Sequence, residues 1–201
     1  MYNCIFSSHC IENMCDRSCP ILAETSYLLE RNNIYDMPNV FSLSSEEITK
    51  YESVLKQSEG KTFTYISNDT VSESAKLTYV AICNNWKTSQ LHCTVYNLRY
   101  SQYVDEIKRS WNTHDEPESL EYMRIWSSSA KILIISHFDY VNFTDFESQT
   151  LLLLLQERQA HNQTTILISP QIESLVCTKL SVFFNSLKSK LISSVKVVNT
   201  K

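Results

Sequence analysis

The chain has 201 residues, 43% of them hydrophobic and 20% charged, with a formal net charge of −4. That is apolar enough to bury one core, too evenly charged for a disordered chain, and without the basic field that would draw a whole domain onto nucleic acid. Glycine occurs once, at Gly60, where average usage of about 7% would give roughly 14, so glycine-built phosphate cradles and dinucleotide fingerprints are excluded.

The front of the chain is acidic and cysteine-rich. Residues 1–60 carry 4 basic and 9 acidic side chains, against 14 and 13 in residues 61–201. Cys4, Cys10, Cys15 and Cys19 follow a C-x5-C-x4-C-x3-C spacing, with His9 beside the second. Four thiolates from one short segment suit tetrahedral zinc, and metal binding would supply the folding energy such a segment lacks. The first gap is longer than in common zinc pairs. Cys19-Pro20 also fits the ending of some iron–sulfur motifs, so zinc is the reading adopted, with an iron–sulfur cluster or no metal as alternatives. Cys83, Cys93 and Cys177 sit among apolar neighbours and read as buried thiols.

A short helix is expected over residues 21–33, then a connector. Ser44 and Glu47 have the spacing of a capping box opening a second helix, and Gly60 suits its exit, where positive φ is needed. Thr62–Ile66 (TFTYI) reads as a strand, followed by a polar loop over Ser67–Ser74 and a helix from Ala75 to Trp86. A β-rich run over Cys93–Asn97 leads into a helix at Ser101–Trp111. After the break at Asp115, Glu116 and Pro117, a helix at Glu118–Ser127 precedes a buried strand at Lys131–Ser136. Residues 144–161 read as a long helix, Thr164–Ser169 (TTILIS) as a strand, Gln171–Lys188 as a helix and Ile192–Val198 as a last β-rich run. Strands alternating with helices in this way specify an α/β domain with a parallel sheet. No stretch approaches the 18 or so apolar residues of a membrane span, and the N-terminus lacks a signal-peptide pattern. A cytoplasmic chain with no membrane partner is expected.

From about residue 61 to 198 the order of landmarks resembles the ATPase domain of bacterial and phage replicative helicase loaders, the DnaC/DnaI type of the AAA+ superfamily. TFTYISNDTVSESAKLT stands where the first strand, Walker A loop and helix lie. HCTVYNLRYSQYVDEIKRSW fits the second strand and helix, SSSAKILIISHFD the Walker B strand, and FESQTLLLLLQERQAHNQTTILISP the helix ending in arginine and the sensor strand. The resemblance implies an AAA+-like parallel five-stranded sheet with flanking helices, plus a small N-terminal cysteine-rich zinc module. Residues 1–38 would form that module, 39–60 a linker helix and 61–201 the ATPase-like domain.

The departures decide the expected activity. At the Walker A position Glu73 and Ala75 replace glycines and Leu77 replaces the magnesium-binding hydroxyl, leaving Lys76 as the remnant. At Walker B, Ser136 and His137 replace the acidic pair, with Asp139 the nearest acid. Pro170 stands at the sensor position. A glutamate in a phosphate cradle repels the anion, and side chains there obstruct the converging backbone N–H groups. The expectation is therefore no catalytic residue, no ATP as cofactor, and a non-catalytic replication accessory protein. It would bind the hexameric replicative helicase, with self-association possible. The alternative is a divergent ATPase that relies on Lys76 and Asp139. Arg99, Lys108 and Arg109, near Tyr100, Tyr103 and Trp111, are the candidates for single-stranded DNA. A mixed-charge solvated face is the plainer reading of the same residues. Arg158 is expected to be a cation at a helix's negative end, and His137 a hydrogen-bonded histidine at a strand terminus.

Overall fold

The computed structural model describes residues 27, 31–32, 43–87, 94–113, 117–138, 144–170 and 197–199. Helix α1 (Ser45–Ser58) leads to β1 (Thr62–Ile66), α2 (Thr70–Lys87) and β2 (Val95–Arg99). Helices α3 (Tyr100–Thr113) and α4 (Glu118–Ser129) precede β3 (Ile132–Ser136), and α5 (Asp145–Ala160) precedes β4 (Thr164–Ser169). A three-residue strand, β5 (Val197–Asn199), completes the set.

The strands form one parallel sheet in the order β2-β3-β4-β1-β5. From β1 the chain crosses over to β2 at the far edge and then returns through β3 and β4. Right-handed crossovers in opposite directions place their helices on opposite faces. Side-chain alternation along each strand then feeds two separate cores. Tyr65, Val95, Ile134, Ile166 and Ile168 pack with Tyr51 and Val54 of α1 and with Leu77, Val80 and Ile82 of α2. Tyr96, Leu98, Leu133, Ile135 and Leu167 pack on the other face with Tyr100, Val104 and Ile107 of α3, Leu120 of α4 and Leu151 and Leu155 of α5.

Local chemistry fixes the helix ends. The Ser44 hydroxyl accepts from the Glu47 N–H at 3.1 Å, and the Glu47 carboxylate accepts from the Ser44 N–H at 2.9 Å. Thr144 and Glu147 repeat this reciprocal cap at the start of α5. Gly60 leaves α1 at φ 65 and donates its N–H to the Thr164 hydroxyl, so the single glycine stands where a left-handed turn is required. Within the residues read as a linker helix, Ser45–Ser58 form α1, whose Tyr51 and Val54 are buried in the body of the domain.

The fold class expected from sequence is corrected in its composite form. It joined an AAA+-like sheet to a zinc module, whereas among the described residues no group of three or more His, Cys, Asp or Glu side chains could hold a metal ion. What is described is an α/β layer structure of five helices on a parallel sheet. Cysteine spacing names a type of donor, but a metal site needs donors converging in space. Cys4, Cys10, Cys15 and Cys19 lie outside the described residues, and the described Cys83 is buried in the apolar core. The expected helix over Gln171–Lys188 also lies outside them.

Candidate functional site

In open parallel sheets ligands lie beyond the carboxyl ends of the strands, where neighbouring strands send their connections to opposite faces. Here β1 leads into α2 on one face of the sheet while its neighbour β4 is entered from α5 on the other, and the turn from β1 into α2 borders the candidate position.

That turn consists of Ser67, Asn68 and Asp69 alone. The Ser67 N–H donates to the Ser169 carbonyl at 3.1 Å, holding the turn against the end of β4. The Asp69 N–H donates to the Ser67 hydroxyl at 3.2 Å. The Asp69 carboxylate accepts from the Ser72 N–H at 3.0 Å, and its carbonyl accepts from the Glu73 N–H at 3.0 Å. Asp69 is thus the N-cap of α2, occupying with its own carboxylate the place where a helix N-terminus would receive an anion. The polar loop expected over Ser67–Ser74 is corrected accordingly, because α2 begins at Thr70. Its polar residues are the first turn of a capped helix.

The Walker-like residues downstream are structural. Ala75 and Leu77 are buried in the core. Glu73 pairs with Lys50 of α1 at 3.4 Å. Lys76 lies six residues beyond the start of α2, about 9 Å along its axis at 1.5 Å per residue. Its ammonium donates to the Glu47 carboxylate at 2.9 Å. The Ser44 N–H and then the Lys76 ammonium hold the Glu47 carboxyl below its ordinary range. The remnant lysine therefore ties α2 to α1.

At the end of β3, Ser136 is fully buried and its hydroxyl lies 2.7 Å from His137 Nδ1. His137 takes a left-handed backbone, φ 60, and its carbonyl accepts from the Ser101 N–H at 3.1 Å. Burial, and then the charge of Arg99, push the His137 imidazole below its usual range. A histidine depressed on folding is bound to fewer protons than in the unfolded chain. Stability therefore falls as pH drops through the unfolded pKa of about 6.5 and levels off below the folded value. His137→Asn keeps a residue tolerant of positive φ. It is expected to flatten the loss of stability between about pH 7 and about pH 5, measured by urea unfolding at each pH. Asp139 lies outside the described residues.

The three candidate DNA-binding cations lie at the end of β2 and on α3. Lys108 is bound to Glu147 of α5 at 2.9 Å. Arg109 is exposed, with Glu106 of its own helix at 3.8 Å. Arg99 ends β2 beside Ser136. Among the aromatics read with them, Tyr100 and Tyr103 are buried, while Trp111 is 56% exposed and packs edge-on against Phe146.

Arg158 has a role that its sequence position did not reveal. It is fully buried. Its guanidinium donates to the carbonyls of Ser127 and Ala130 at 2.8 Å each, to the Thr164 carbonyl at 2.6 Å and to the Thr165 hydroxyl at 2.8 Å. It caps the C-terminus of α4, not of its own helix. Burial pushes its pKa down to about 10, which leaves it charged at neutral pH. Asp69 was also missed as a site residue, although an Asp ahead of Thr-Val-Ser-Glu is a legible cap signal.

No protein-family model matches the chain, and no curated protein matches it. Among the described residues no helix is long and apolar enough to cross a membrane.

Proposed function

We propose that the protein is a non-catalytic accessory factor of DNA replication, of the helicase-loader kind, which docks on a hexameric replicative helicase without turning over ATP. The observation that carries the pseudo-ATPase part is the chemistry after β1. The α2 N-terminus is capped by Asp69, and Lys76 is engaged by Glu47. A triphosphate brought there meets a carboxylate in place of converging N–H groups and a lysine already neutralised, both unfavourable to an anion. The docking part rests on the resemblance of residues 61–198 to the loaders. Of the three cations considered for single-stranded DNA, Lys108 and Arg109 have carboxylate neighbours, so the reading gives DNA a secondary place.

Magnesium ATP is expected to leave the melting temperature unchanged, and no phosphate release above that of the helicase alone is expected with helicase and DNA present. Lys76→Ala should lower stability by about 0.5–1 kcal/mol through loss of its part-buried ion pair, with the same null response to ATP. Affinity capture from bacterial extract should return the replicative helicase. An ATP-dependent thermal shift that disappears in Lys76→Ala would establish the divergent ATPase instead.

A further inference from the structure

In the half of the sheet away from β1, the ends of β2 and β3 bring Arg99 and His137 together. Arg99 closes β2 and is in register with Ser136 of β3. Register partners project to the same face of a sheet, so the Arg99 side chain leaves the strand beside the Ser136 hydroxyl, which is 2.7 Å from His137 Nδ1. The left-handed turn at His137 (φ 60) lets its carbonyl accept from the Ser101 N–H, two residues beyond Arg99. The groups are near enough that the Arg99 charge disfavours protonation of His137. Both side chains are half-buried. With Nδ1 accepting the Ser136 hydroxyl, the proton of the neutral ring sits on Nε2, which is left to donate to a further partner.

No carboxylate of the described residues neutralises this pair. The ion pairs among them join Lys50 to Glu73, Lys76 to Glu47, Lys108 to Glu147 and Arg109 to Glu106, and none engages Arg99. Helix α3, which begins directly after Arg99, has no acidic residue in its first turn, whereas α1, α2, α4 and α5 each have at least one. A guanidinium fork offers two parallel N–H groups, and the imidazole adds a third donor. Three donors suit a phosphoryl group, with its several terminal oxygens, better than a carboxylate. The place is again the carboxyl end of parallel strands. It lies two to three strand spacings from β1, about 10–14 Å at roughly 4.8 Å each, and is therefore separate from the turn that Asp69 closes.

We propose that Arg99 and His137 form a binding site for a phosphoryl oxyanion, with the Arg99 fork as its main contact and His137 Nε2 as a second donor. The inference is independent of the helicase reading. The test titrates sodium phosphate into the full chain at constant pH, with sodium chloride at equal ionic strength as the control for screening. The His137 ring protons are followed by NMR and assigned by their loss in His137→Asn. A saturable movement with phosphate, and none with chloride, is expected. Arg99→Gln should weaken phosphate binding about tenfold and leave the melting temperature in phosphate-free buffer unchanged, because no internal ion pair is lost. His137→Asn, followed at the Arg99 Nε–H resonance, should weaken binding by a smaller factor and serves if Arg99→Gln fails to fold. A single-stranded oligothymidylate in the same titration separates the sources of the group. Binding tighter than that of phosphate, and equally dependent on Arg99, assigns the site to a nucleic-acid backbone; weaker binding assigns it to free phosphate or a phosphomonoester. Absence of a saturable response to either anion overturns the proposal. So does an Arg99→Gln variant that melts lower without phosphate yet responds to phosphate as the wild type does, since the guanidinium is then engaged inside the protein.

Discussion

Replacing Arg158 with methionine is expected to lower stability by about 3 kcal/mol, read as a fall in melting temperature of roughly 10 °C for a chain of this size. The substitution keeps an unbranched stem of similar reach and removes four donated hydrogen bonds. Three carbonyls, those of Ser127, Ala130 and Thr164, and the Thr165 hydroxyl then lose the donor that Arg158 supplies. Part of that cost is offset because a desolvated cation disappears as well. Arg158→Lys should recover little, because an ammonium is a point donor and cannot present a planar fork to the end of α4 and the start of β4 at once. Equal stability of the methionine variant and the wild type in urea unfolding would show that the buried guanidinium contributes nothing net.

Glu147→Ala is expected to cost about 2 kcal/mol. Glu147 accepts from the Thr144 N–H in the cap of α5 and from the Lys108 ammonium of α3, and its side chain is only 9% exposed. Its carbonyl also accepts from the buried Tyr100 hydroxyl, a bond that the alanine variant keeps. Glu147→Gln retains an acceptor for the cap but gives up the charge opposite Lys108, so it should fall about midway between the two in denaturant midpoint. If the two variants lose the same stability, the ion pair rather than the cap carries the effect.

Several elements are legible from residues alone. TFTYI and TTILIS are short β-branched and aromatic runs between breakers, and they are the strands β1 and β4. Ser44, Glu47 and Gly60 mark the ends of α1 because capping and positive φ are properties of single residues. The start of α2 is misplaced for the converse reason. A cap and a solvated first turn are built from the same Ser, Asn, Asp, Thr and Glu as a loop, and only the backbone bonds to Asp69 separate them. Glu47 as the partner of Lys76, Glu147 as the partner of Lys108 and Asn32 as the partner of β2 were not legible. They are 29, 39 and up to 65 residues away in sequence, and no local pattern records such a meeting. Arg158 was read as a helix-end cation because nothing in its neighbours shows that the end of α4 folds onto it. Of the aromatics read beside the candidate DNA-binding cations, Tyr100 and Tyr103 belong to the core, and Trp111 extends beyond it onto Phe146.

The brevity of the link between β1 and α2 sets a limit on how this scaffold can change. A glycine-rich phosphate loop wraps its anion with several consecutive peptide units, and three residues provide no slack for such a wrap. Writing glycine at 73 and 75 would place flexible residues inside an established helix and weaken it, without freeing any backbone to encircle a ligand. Recovering a triphosphate grip would take inserted residues, a change of chain length that point substitution cannot supply.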